Sequence, residues 1–160
     1  MNKDYLDIVS DILDNESFKK LDNEVHHHGS RLDHSIGVSY RSYKVCKRLG
    51  LDYVSASRAG LLHDYFFNEE FSSNSKLYRL THHYERAIVN ASNLVGLNDM
   101  EKNIICSHMF PIGGKVPKYL ESVIVDIIDD LSAIYEVMSC RYYFFKYSFL
   151  CLVISFCFFR

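Results

Sequence analysis

Residues 61–67 read Leu-Leu-His-Asp-Tyr-Phe-Phe, a histidine and an aspartate side by side among two leucines and three aromatics. A carboxylate in such company is costly unless it is paired or bound to a cation. His63 and Asp64 therefore either pin a helix end or hold a metal. The remaining polar residues in the same position decide between these uses: His34, His82, His108 and one aspartate among Asp126, Asp129 and Asp130. Each lies near a helix end or on an otherwise apolar helix. Imidazole and carboxylate together suit a divalent transition metal, with geometry selecting which one. His26 and His83 read instead as surface or internally satisfied histidines. Asp126 and Asp130 read equally well as solvated helix positions.

The elements that must position these residues are helical. In residues 4–13 the apolar residues Leu6, Ile8, Val9, Ile12 and Leu13 recur at helical spacing, with acids on the other face. A second helix starts at the cap candidate Ser30 and stops at Gly50, and a third opens on Asp52 and runs into the His-Asp pair. His34 and His63 thus lie on consecutive antiparallel helices, roughly 22 Å and roughly 15 Å from their shared turn at a rise of about 1.5 Å per residue. Side-chain reach closes that difference. Residues 68–80 are polar and serine-rich and read as a loop over a functional face. A helix is expected over 82–96. Another starts at Asn98, with Glu101 completing a capping box, and halts before Pro111. Residues 111–118 read as a loop. The last long helix, about 118–140, carries Leu120, Ile124, Ile127, Leu131, Ile134 and Met138 in alternating steps of four and three, read as a buried packing face.

At 160 residues the chain is expected to form one all-α domain, a helical bundle of about six or seven helices over residues 1–140, followed by a hydrophobic, aromatic-rich tail at 141–160. Eighteen basic and 20 acidic residues give a net charge of −2, leaving no basic excess to bind a polynucleotide. Two prolines and seven glycines supply too little punctuation for a many-stranded fold. Five cysteines without a C-x-x-C pair read as reduced core residues of a cytoplasmic protein. The acidic N-terminus lacks the apolar segment of a signal peptide. In the tail, the uncharged run Tyr147–Phe159 falls short of the roughly 20 residues that span a bilayer. It reads as a packed core segment, a membrane-surface anchor or a non-native terminus.

Three segments carry a family resemblance: Arg31-Leu-Asp-His-Ser35, Leu61-Leu-His-Asp64 and Ile127-Ile-Asp-Asp-Leu-Ser-Ala-Ile-Tyr-Glu136. In that order they resemble the His…His-Asp…Asp pattern of the HD-domain superfamily of metal-dependent phosphohydrolases. Thr81-His82, Ser107-His-Met-Phe-Pro111 and Pro117-Lys-Tyr-Leu-Glu-Ser122 are similar to a small bacterial branch of it. The resemblance spans about residues 5–140. It implies that His34, His63, Asp64 and Asp129 hold one metal and that His82 and His108 complete a second site. Asp129 is preferred to its neighbours because the pattern places the ligand four residues before Ala133. Two departures stand out. Position 130 is Asp where this branch typically has a basic residue, and Phe67 replaces an acid of the nucleotidase branch, for which Glu69 or Glu70 is a substitute. The Gly-Tyr-Pro segment of the cyclic dinucleotide phosphodiesterase branch is absent.

The function expected is hydrolysis of a phosphomonoester or nucleotide by a water activated on one or two divalent ions (Mn, Fe, Mg, Zn, Ni or Co), with Asp64 and Arg31 in the reacting centre. Arg31 would grip a phosphate oxygen, as would Lys115 and Lys118 beside the Gly-Gly loop. The competing readings are a non-catalytic metal- or nucleotide-binding regulatory domain and a bundle stapled by a structural metal. The partner expected is a small phosphorylated molecule, with membrane contact confined to the tail.

Overall fold

Tyr5, Val9 and Ile12 recur on one face of the first helix, and all three are buried. The computed structural model describes residues 2–26 and 29–158. Helix α1 spans Lys3–Leu13, and the short α2, Glu16–Lys19, is capped by the Asn15 side chain and runs into a 3-10 turn. A minimal hairpin follows, β1 (Val25–His26) antiparallel to β2 (Gly29–Ser30). Ser30 then caps α3, Arg31–Leu49, by accepting the Asp33 amide. Gly50 closes that helix at φ 71°, a left-handed conformation that costs a residue without Cβ little. Asp52 caps α4, Tyr53–Leu62, by accepting the Ser55 amide. Next come α5 (Lys76–Leu94), α6 (Asp99–Ser107, opened by the Asn98–Glu101 capping box) and α7 (Leu120–Phe158). Seven α-helices with one two-residue strand pair among the described residues make the fold all-α.

Helices α3 and α4 pack directly against each other, and small residues let them approach. A Cβ on Gly60 would stand 3.2 Å from the Ser39 Cα. Ser39 Oγ donates to the Ser57 carbonyl at 2.7 Å and accepts from the Tyr5 hydroxyl at 2.9 Å, which ties α3 to α4 and α1 at this point of the seam. Around it Phe18, Leu21, Val38, Leu61, Leu62, Ile104, Ile105 and Val125 fill one apolar core.

Two expectations about the elements are corrected. The polar stretch 68–80 is not a loop throughout: a 3-10 turn covers Asn68–Phe71 and α5 begins at Lys76, capped by the Ser75 side chain. Apart from Ile124, which is half-buried against the core, the apolar stripe of α7 is not its packing face. Leu120, Leu131 and Met138 are 56%, 60% and 64% exposed, and Ile127 and Ile134 are exposed with them. Glu121, Ser122, Val125, Ile128, Asp129 and Ser132 face inward instead. This face is small and polar because it meets polar partners: Ser122 Oγ donates to Asn103 Oδ1, and Arg41 donates to Ser132 Oγ. The backbone of α7 continues past residue 140 without a break. The tail expectations turn on side chains from 143 onward, which lie outside those described. Among the described residues no helix is long and apolar enough to cross a membrane.

Candidate metal centre

Five elements converge on one buried cluster. His34 sits at the start of α3, one turn after Arg31. His63 is the cap residue that ends α4, and Asp64 follows it into the turn. His83 lies on α5 on the face it shares with Ala87 and Ala91, all three buried. His108 ends α6 as His63 ends α4, and Asp129 faces inward from α7.

Two adjacent groups result, each of which could hold a metal ion: His34, His63 and Asp129, and Asp64, His83 and His108. In the first, Asp129 Oδ1 lies 2.8 Å from His34 Nε2 and 3.4 Å from His63 Nε2. In the second, Asp64 Oδ1 lies 3.1 Å from His83 Nε2 and 3.7 Å from His108 Nε2, and the two imidazole nitrogens stand 2.7 Å apart. The His63 and His108 rings, 5.0 Å between centroids, join the groups.

The other ring nitrogen of each histidine fixes what Nε2 can do. Nδ1 of His63 meets the Gly60 carbonyl, that of His108 the Ile105 carbonyl and that of His83 the Arg79 and Leu80 carbonyls. Nδ1 of His34 meets the Glu136 carboxylate at 2.9 Å. All of these partners accept, so Nδ1 donates in each ring, and in the neutral ring Nε2 turns an electron pair toward the cluster. His63 Nε2 is buried without a hydrogen bond. Electron pairs and carboxylates facing one another repel unless a cation stands among them, and this donor set fits divalent metal ions.

Electrostatics in the metal-free protein agree. Burial presses the His63 pKa down, but Asp129 and Asp64 outweigh it and hold the ring up at about 9, so a proton takes the place of a cation. His34 is also raised, against its burial, by the bond to Asp129. Asp129 is buried as well, yet His63 and His34 draw its pKa well below the usual carboxylate range. His108 goes the other way: burial, His83 and His63 lower it to about 3.

The geometry revises several sequence expectations. His83, not His82, stands beside Asp64 and His108; His82 stacks on the Tyr78 ring at 4.2 Å on the half-buried side of α5. The two differ by about 100° around the helix. Asp64 Oδ1 lies beside His83 Nε2 and His108 Nε2, at 3.1 and 3.7 Å. Asp130 is exposed, next to the buried Asp129. Arg31 is buried, its guanidinium 3.8 Å over the Phe66 ring and its Nε 4.0 Å from Asp64 Oδ2. Lys115 and Lys118 are exposed and do not line the cavity at Asp64, whereas Lys76 and Arg79 do. Glu70 is tied to the Phe67 amide and Asn90, holding the 3-10 turn. The spacing of His83, Ala87 and Ala91, in steps of four, was the signal that marks His83 as inward-facing.

An all-α fold that gathers two buried His/Asp groups, each of which could hold a metal ion, defines the class of protein. A family model described as HD domain matches residues 31–134, more than half of the chain, and the chain belongs to that family. No curated protein and no solved structure matches it.

Proposed function

We propose that the protein is a metal-dependent phosphohydrolase acting on a small phosphorylated substrate. The observation that carries this reading is the pair of His/Asp groups whose four imidazoles are all locked through Nδ1, beside a cavity lined by cations. His34, His63 and Asp129 would hold one divalent ion, and Asp64, His83 and His108 a second. Such ions, when bound, supply a water of lowered pKa and neutralise charge on phosphoryl oxygens. The chain's own contribution is positioning. Carbonyls at Gly60, Arg79, Leu80 and Ile105 hold the rings, and Asp64 presents one oxygen to the histidines and the other to Arg31.

A second reading rests on the cavity lining. Apart from Asp64 it contains no carboxylate that could protonate a leaving group. A domain that binds metal and phosphate without turnover would look the same. The deciding experiment is a phosphate-release assay with Mn²⁺ over nucleotides and sugar phosphates, with Asp129→Asn as control. Release by the wild type that the variant loses supports hydrolysis. Metal bound without release from any substrate supports the binding domain, and no metal bound removes both.

A further inference from the structure

Next to Asp64 and His83 lies a cavity of about 400 Å³, within the range of small-molecule sites. Arg31, Asn68, Lys76 and Arg79 line it together with those two residues. We infer that Arg31, Lys76 and Arg79 form a subsite for a second phosphate, so that the substrate carries a diphosphate rather than a lone phosphomonoester. The inference rests on the phosphohydrolase reading and names its substrate class.

The cations are in excess of what one phosphoryl group needs. Among the described residues Asp64 is the only carboxylate in the lining, and it is the one that would be engaged by a cation. Glu24 approaches Arg31 from the side at 3.5 Å, and Glu70 acts on it from further off. Arg31 is 3% exposed, and its Nε, the nitrogen closest to Asp64, makes no hydrogen bond. Arg79 enters the same space from α5. One neutral oxygen, Asn68 Oδ1, receives both guanidinium groups, from Arg31 Nη2 at 3.3 Å and Arg79 Nη1 at 3.2 Å. Arg31 Nη1 has a further acceptor in the Phe66 carbonyl at 2.5 Å, but that oxygen and the amide oxygen are both neutral. A phosphate oxygen supplies charge there, and a guanidinium fork is shaped to receive it.

Helix α5 adds an independent sign. Its first turn contains no acid but carries Lys76 and Arg79, cations at the end of the helix where the backbone dipole is itself positive. This opposes helix stability and favours an anion at the same spot.

The test is calorimetric titration of the Mn²⁺-loaded protein with inorganic pyrophosphate and with orthophosphate. Pyrophosphate grips a metal better than orthophosphate does unaided, so the informative quantity is how much of its preference the variants remove. Arg79→Gln and Lys76→Gln are each expected to weaken pyrophosphate about tenfold, the loss of one charge-assisted bond, and orthophosphate by no more than about twofold. Equal weakening of both ligands, or none of either, overturns the subsite. Lys76 is exposed, so its variant decides the matter even if Arg79→Gln fails to fold after losing Asn68. No turnover is required: absence of phosphate release from every substrate would sink the phosphohydrolase reading alone, and parallel losses in titration would sink the subsite alone.

Discussion

In the metal-free protein a proton and a divalent ion compete for His63. With its pKa near 9 the ring is protonated at neutral pH, whereas His108, near 3, is not. Metal uptake at pH 7.5 should therefore release about one proton from the His34–His63–Asp129 side. Titration in two buffers of different ionisation enthalpy measures it, and apparent affinity should rise with pH up to about 9. The same two rings shape metal-free stability. Between pH 6.5 and 9 the folded His63 keeps a proton that the unfolded chain has lost, so stability falls as pH rises. Between 6.5 and 3 the unfolded chain protonates His108 while the folded protein does not, so stability falls as pH falls. Asp126, which burial and its acidic neighbours raise to about 7, works against His108 below pH 6.5, so urea midpoints should change little from about pH 4 to 6.5 and fall from 6.5 to 9; a rise across that upper window would contradict the His63 shift. Neighbouring residues should also part company. His83→Ala and Asp129→Asn are expected to cost more metal affinity than the roughly 10–100-fold typical of a ligand's supporting partner, while His82→Ala and Asp130→Asn cost little. His63 and Asp64 were legible because a polar pair among leucines and aromatics needs a reason to be there. His83 was not, because two adjacent histidines present the same chemistry and only the step to Ala87 and Ala91 separates their faces.

At the scale of elements, the α3–α4 seam sets the separation of the His34 and His63 rings, 5.6 Å between centroids. Gly60→Val would drive a branched side chain against the Ser39 backbone, already 3.2 Å from where a Cβ would stand. Overpacking of this kind costs about 1–3 kcal/mol, or a fall in Tm of about 3–10 °C for a domain of this size. Metal affinity should fall with it, since both rings ride on the displaced helices; a thermal melt and a metal titration on one preparation test both. Helix ends were readable from Ser30, Asp52, Asn98 and Gly50, because caps satisfy backbone groups through local chemistry. The burial of α7 was not. Its apolar stripe has the period of a packing face, yet the inward face is built of Ser122, Val125, Asp129 and Ser132. Periodicity reports which residues share a side of a helix and says nothing about which side meets the protein. The start of α5 was hidden for a related reason: Lys76 and Arg79 at its first turn oppose the usual charge preference of a helix beginning.

For the molecule as a whole, the candidate ligands come from α3, the end of α4, α5, the end of α6 and α7, so bound metal would cross-link most of the fold. Metal at about 100 times its Kd would add about 2.7 kcal/mol, and removing it with a chelator should lower Tm by about 5–10 °C. A melt in Mn²⁺ against one in chelator checks this, and identical curves would show that the folded protein binds no Mn²⁺ in preference to the unfolded chain. One contact bears on how such a scaffold can move. Glu136 and Asp129, two turns apart on α7, take opposite edges of the His34 ring, Nδ1 at 2.9 Å and Nε2 at 2.8 Å. The ring is a peg held between two stops. Sliding α7 along its axis shortens the grip at one edge only by opening it at the other, and turning α7 about its axis swings both carboxylates off together. The two contacts with the His34 ring thus fix together the height and the rotation at which α7 sits against α3.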